Sequence, residues 1–196
     1  NDSRFTGSFN GNGYSITGLT IDKPETNYVG LFGYTNEEAT IENVALEDVD
    51  IKGGDYTGGL VGRAYKSSVR NSYATGEVSG ASYTGGLVGR AYKSSVRNSY
   101  ATGEVSGASY TGGLVGYATS STKITNSYAT GSVTGKGSTG GLVGYADISN
   151  TIRNSYATST VSGKGCTGGL VGYAVTLTIT NSYATGSVTS TGSQVG

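Results

Sequence analysis

The tripeptide Gly-Leu-Val places Leu60, Leu87, Leu114, Leu142 and Leu170 at successive separations of 27, 27, 28 and 28 residues. The segment from Tyr56 to Ser82 recurs without a change as Tyr83 to Ser109. A unit copied whole is a structural quantum, and a fixed period of this length points to a stacked array. A degenerate earlier copy runs from Tyr28-Val29-Gly30-Leu31-Phe32-Gly33 through Ile41-Glu42-Asn43-Val44-Ala45-Leu46 to Ile51, with Leu31 lying 29 residues before Leu60. The segment ahead of it departs from the pattern, as a capping unit does.

Three stretches of each unit have strand chemistry. In the fourth full copy they are Gly141 to Ala146, Thr151 to Thr158 and Thr160 to Ser162, each bounded by the Gly, Asn, Ser or Asp that turn a chain. The 35 glycines would each cost a helix interior about 1 kcal/mol relative to alanine, and they lack the triplet period of collagen. No window holds the long amphipathic helix of a helical repeat, and a propeller blade needs about 40 residues. The expected fold is therefore all-β: a β-solenoid, or β-helix, of 27 to 28 residues and three short strands per coil. Each strand pairs with its copy one coil away, about 4.8 Å along the axis, giving a rod of about 30 Å. The expected organisation is an opening or capping segment at 1–27, a degenerate acidic repeat at 28–55, five repeats at 56–188 and a tail at 189–196, all in one domain.

Three apolar columns read as the core: Leu60 and its copies, Val69 with Val96, Ile124, Ile152 and Ile179, and Val78 with Val105, Val133, Val161 and Val188. Position 63 alternates between Arg and Tyr, which puts it outside and Ala64 inside. The segment Asn71-Ser72-Tyr73-Ala74-Thr75 has two readings. Where the degenerate copy carries Val44 and Leu46, later copies carry Ser72 and Ala74, so by the period of two these point inward. Tyr73, Tyr100, Tyr128, Tyr156 and Tyr183 then form a surface ladder beside Thr75, Thr102, Thr130, Thr158 and Thr185, the candidate interaction surface. The competing parity buries the tyrosines, whose hydroxyls would then need partners. The exposure of Tyr128 decides between them.

Several patterns imitate active sites. Gly135-Lys136-Gly137-Ser138-Thr139-Gly140 and Gly163-Lys164-Gly165-Cys166-Thr167-Gly168 satisfy G-x-G-x-x-G, but a dinucleotide site needs a following helix, and strands follow here. Glu47, Asp48, Asp50 and Asp55 match no calcium loop and read as a solvated face. The chain has no histidine, and its single cysteine, Cys166, takes the repeat position of Tyr56, Tyr83, Tyr110 and Ser138, so no intramolecular disulfide and no cysteine-based zinc site is possible. The expectation is a chain with no catalytic residues, no metal and no cofactor.

The net charge of zero divides unevenly. Residues 1–55 carry ten acids and three bases, and residues 56–196 three acids and ten bases. The bases are spread too thinly for a nucleic-acid footprint. No apolar run approaches the ~18 residues of a membrane span. The chain opens inside one motif, at Phe5-Thr6-Gly7, and stops inside another, so it reads as a mature product or an excised piece. An apparently uncapped end after Val188 and the two charge halves point to self-association through the solenoid ends.

The recurring Gly-Gly-Leu-Val-Gly, with the opening Phe9-Asn10-Gly11-Asn12-Gly13-Tyr14-Ser15-Ile16-Thr17-Gly18-Leu19-Thr20-Ile21, resembles the GLUG-motif repeats of bacterial and archaeal surface proteins, including adhesins. The resemblance runs from about Phe5 to Val188 and implies an extracellular or cell-surface β-solenoid, with no catalytic or binding residues to carry over. The expected function is a non-catalytic structural or adhesive module, self-assembling into a fibre or stalk through its ends or its Tyr/Thr face. Its partners are copies of itself, with host or matrix glycans or proteins as further candidates. The alternative is a ligand-binding solenoid with a glycan-binding or ice-binding face. An enzyme of the polysaccharide-lyase kind would need clustered acids and bases, and the copied units hold only Glu77, Glu104 and Asp147 as acids.

Overall fold

The computed structural model describes residues 4–192 and residue 194. The chain winds into a parallel β-solenoid, with no α-helix among these residues. One coil, that of the third full copy, contains the strands Val115–Thr119, Lys123–Thr125, Tyr128–Gly135 and Ser138–Gly140. Each pairs in parallel with the same residues one coil away, Tyr128 with Tyr100 and Tyr156, Ile124 with Val96 and Ile152. The result is four sheets of six, seven, nine and five strands that share one axis.

The coil thus carries four strands where the sequence pattern predicts three, and the reason lies in one residue. Asn154 adopts a left-handed backbone (φ 49°), which breaks the expected Thr151–Thr158 stretch into Asn150–Arg153 and a second strand beginning at Tyr156. Asparagine is among the few residues that tolerate this conformation. The second strand then runs to Gly163, absorbing the expected Thr160–Ser162 strand. The fourth strand is only two or three residues, such as Thr167–Gly168, ahead of each Gly-Leu-Val.

The three apolar columns form the core. Leu60, Leu87, Leu114 and Leu142 are completely buried, and the copies of Val69 and Val78 in the inner coils are buried with them. Val61 and its copies join them, because the chain turns a corner between Leu60 and Val61 and both side chains point inward. Ala64 is buried and Arg63 partly exposed, as the column reading predicts. In the last coil Leu170 and Val188 are only partly buried and Ile179 is 46% exposed, since no further described coil packs over them.

The Gly-Gly pair of the motif is explained by close approach between coils. A Cβ on Gly113 would lie 2.2 Å from the Gly141 carbonyl oxygen and 2.8 Å from Ala129 Cβ, distances that no side chain accommodates. The motif is therefore a packing requirement of the corner. Gly135 to Gly140 joins two strands of one coil, Tyr128–Gly135 and Ser138–Gly140, and opens no helix.

The opening residues add a partial coil, in which Ser8–Asn10, Ser15–Thr17 and Thr20–Lys23 pair onto strands of the degenerate repeat. That repeat has a bulge at Asp48 (φ 54°), where its register against the first full copy shifts between Ala74 and Gly76.

Candidate functional site

The tyrosine ladder is set up by the Asn-Ser pair before it. Asn43, Asn71, Asn98, Asn126, Asn154 and Asn181 all adopt φ near 50°, and each Nδ2 donates to the Oδ1 of the asparagine one coil earlier, at 3.1–3.2 Å, starting from Asn10. The buried serine that follows also links the coils, with the donor now in the earlier coil. Ser127 Oγ accepts from the Ser99 amide at 3.2 Å and donates to the Thr125 carbonyl at 2.9 Å, and Ser72, Ser99 and Ser155 repeat the pattern. Serine recurs at this inward position because its hydroxyl satisfies a corner amide that the ladders leave open.

With serine and alanine buried, the tyrosines face outward. Tyr128 is partly exposed, Ser127 and Ala129 are buried, and Tyr183 is 55% exposed. Tyr73, Tyr100, Tyr128, Tyr156 and Tyr183 stack in near-parallel pairs, with centroids 4.7, 4.7, 4.9 and 5.2 Å apart. Each inner ring has its faces against its neighbours, so solvent meets ring edges and hydroxyls. A sugar cannot lie flat on an inner ring of such a stack; the geometry offers a row of hydroxyls instead. Beside them Thr75, Thr102 and Thr130 are in register and partly buried, while Thr158 and Thr185 are exposed.

The ladder is held at its first ring. Tyr73 donates to Glu47 Oε1 at 2.7 Å, and this bond, with burial and the carboxylate charge, pushes its phenol up to about 12. Burial also raises Tyr100 and Tyr128. The other acids of the expected acidic group serve separate contacts: Asp48 is exposed in the bulge, Asp50 pairs with Lys52 at 3.5 Å, and Asp55 accepts from the Ser82 amide. Among the described residues no group of three or more His, Cys, Asp or Glu is arranged to hold a metal ion.

A second aromatic surface escapes the column-by-column reading. Tyr28, Tyr56 and Tyr83 stack at 4.8 and 4.5 Å, with Tyr110 tilted at 5.4 Å from Tyr83, and the column of Tyr34, Arg63, Arg90, Tyr117 and Tyr145 lies against them, continued by Tyr173 on Tyr145. The Arg63 guanidinium sits 4.8 Å from the Tyr34 ring centre, and that of Arg90 5.1 Å from the Tyr117 ring centre. The signal was present in the Arg/Tyr alternation at position 63, which swaps one ring-stacking group for another. Cys166 ends the neighbouring column as a partly buried free thiol, 2.8 Å from Gln194 Oε1.

The repeat unit and its glycine corners can be compared with known proteins. The family model described as the GLUG motif matches residues 53–79, 80–106, 107–134 and 163–189, more than half of the chain. The chain belongs to the GLUG-motif family. It is 46% identical over 72 residues to halomucin of Haloquadratum walsbyi, covering 37% of this chain and 1% of that protein. It is 40% identical over 68 residues to a protein of Evansella cellulosilytica described as a candidate Gly-rich membrane protein, covering 33% of this chain and 8% of that one. The chain thus spans only a small part of these relatives. Among solved structures, a candidate immunoglobulin A1 protease from Bacteroides ovatus superposes with a TM-score of 0.72 at 21% identity, over 91% of this chain and 68% of that one, a likeness of fold. No described helix of this GLUG-repeat chain is long and apolar enough to cross a membrane.

Proposed function

We propose that this chain is a non-catalytic structural module of a cell-surface or secreted protein, a stiff spacer that associates with copies of itself through its solenoid ends or its Tyr/Thr face. The observation that carries this reading is the unbroken run of Asn, Ser and Tyr ladders. The repeated polar chemistry is spent on joining one coil to the next, which makes a rod. Membership of the GLUG-motif family, and relatives of which one is described as a membrane protein, support placement at the surface. The uneven charge adds a means of association: Lys66 pairs with Glu37, and Arg70 with Glu42 at 2.7 Å, so an acidic coil packs well on a basic one.

The test is sedimentation and small-angle scattering of the chain over a wide concentration range. Elongated particles that lengthen with concentration and shorten in high salt are expected. A strictly monomeric protein at high concentration and low salt overturns the self-association. The second reading, a glycan-binding or ice-binding face, draws on the in-register threonines, and thermal hysteresis and a glycan array test it.

A further inference from the structure

The tyrosine ladder has a chemistry that a spacer does not need. Its near-parallel rings, 4.7 to 5.2 Å apart, are in van der Waals contact, so an electron vacancy on one ring passes readily to the next. A phenol keeps such a vacancy only if it also loses its proton, because its radical cation is a strong acid. The position of a proton acceptor therefore decides where the vacancy stops.

Among the described residues the ladder offers a carboxylate acceptor at one place. Glu47 of the degenerate repeat lies beyond the first ring, with Oε1 2.7 Å from the Tyr73 hydroxyl. The hydroxyls of Tyr100, Tyr128, Tyr156 and Tyr183 have no carboxylate within hydrogen-bonding distance among the described residues. The second stack supplies a contrast. Tyr117 donates to Asp147 at 2.9 Å, but that carboxylate also accepts from Thr119 Oγ1 at 2.6 Å, from the Ser120 amide at 3.0 Å and from the Ile148 amide. Although burial pushes Asp147 upward, these bonds hold it below the usual carboxylate range, a poor proton acceptor. Apart from Tyr73, the Glu47 carboxylate is met among the described residues only by the Thr17 hydroxyl, at 3.5 Å.

We propose that Tyr73 and Glu47 form an oxidation trap, where a vacancy introduced anywhere on the ladder by a one-electron oxidant comes to rest. In the step, Tyr73 gives one electron to the ring vacancy, and so to the oxidant, which is reduced by one electron. Its hydroxyl proton moves to Glu47 Oε1, leaving a neutral tyrosyl radical and a carboxylic acid. Tyr183, the most exposed ring of the ladder, is the entry point, and Tyr73, at the other end and partly buried, is where modification is concentrated. The inference is independent of whether the module self-associates.

The experiment oxidises the whole chain with photogenerated tris-bipyridine ruthenium(III), follows the radical by freeze-quench electron paramagnetic resonance and maps modified tyrosines by mass spectrometry. Wild-type protein is expected to give one dominant tyrosyl species, lost in Tyr73→Phe, whose ring keeps the stack intact. Glu47→Gln should shorten its lifetime at least tenfold and spread products along the ladder, while Asp147→Asn leaves both unchanged. A signal of full intensity and lifetime in Tyr73→Phe overturns the proposal. So does a wild-type product distribution that follows exposure alone, led by Tyr14 and Tyr183. Circular dichroism of each variant confirms that the solenoid is retained.

Discussion

Asn126 donates from Nδ2 to Oδ1 of Asn98 at 3.1 Å while holding a left-handed backbone at φ 51°, so one side chain both turns the corner and ties two coils together. The two roles can be separated. Asn126→Gly keeps the turn and loses the amide bonds to Asn98 and Asn154, at an expected cost of about 1 kcal/mol. Asn126→Ala loses the same bonds but, unlike glycine, keeps a Cβ in the left-handed region without the amide that makes asparagine tolerant of it, which adds about 1 kcal/mol. Thermal unfolding should therefore rank wild type above Gly and Gly above Ala, and equal Gly and Ala variants would show that the turn is not what asparagine supplies.

Ser127→Ala leaves the Ser99 amide without its acceptor inside the corner. The expected loss is about 1–3 kcal/mol, with faster hydrogen exchange at that amide. An unchanged exchange rate would mean that another acceptor replaces the hydroxyl.

Gly113→Ala should be among the most damaging single changes, because its Cβ would meet the Gly141 backbone rather than a yielding side chain. A cost of at least about 2 kcal/mol follows from overpacking of this kind. Exchange protection should fall first in the segments 111–116 and 139–144. Stability near wild type would show that neighbouring coils separate easily.

Tyr73 is raised by its bond to Glu47, so the protonated phenol is favoured in the folded state. Its contribution is fully present below pH ~10, the ordinary tyrosine value, and is lost as pH rises from there through about 12. Ultraviolet titration should show a late-ionising tyrosine that moves toward the ordinary value in Glu47→Gln. If that variant titrates as wild type does, the hydrogen bond is not the cause.

The solenoid, its period, the three core columns and the outward parity of the ladder were legible in the sequence, because copying prints each environment several times over. Ser72 and Ala74 opposite Val44 and Leu46 pointed Tyr73 outward, and the partial exposure of Tyr128 decided against the competing parity. The strand count was not legible, since the corner at Asn154 depends on a backbone angle that asparagine permits but does not announce. The second aromatic surface was hidden for a different reason: the two columns stand on either side of the Gly-Leu-Val corner and meet only once that corner is folded, with ring centres 5.4 Å apart for Tyr110 and Tyr117 of one copy and 5.6 Å apart for Tyr83 and Tyr117 of adjacent copies. The pairing of Glu47 with Tyr73 joins an irregular repeat to a regular one, and periodicity carries no information about such a junction.

The two identical units, Tyr56 to Ser82 and Tyr83 to Ser109, pair residue upon residue, Tyr73 on Tyr100, Arg63 on Arg90, Val69 on Val96. Because the upper and lower surfaces of such a unit fit each other, a tandem duplication inserts a coil whose contacts are already made, and a deletion closes without a scar. Unequal recombination between these stretches of the gene would therefore alter the reach of the protein in steps of one strand spacing, about 4.8 Å, while leaving its cross-section unchanged.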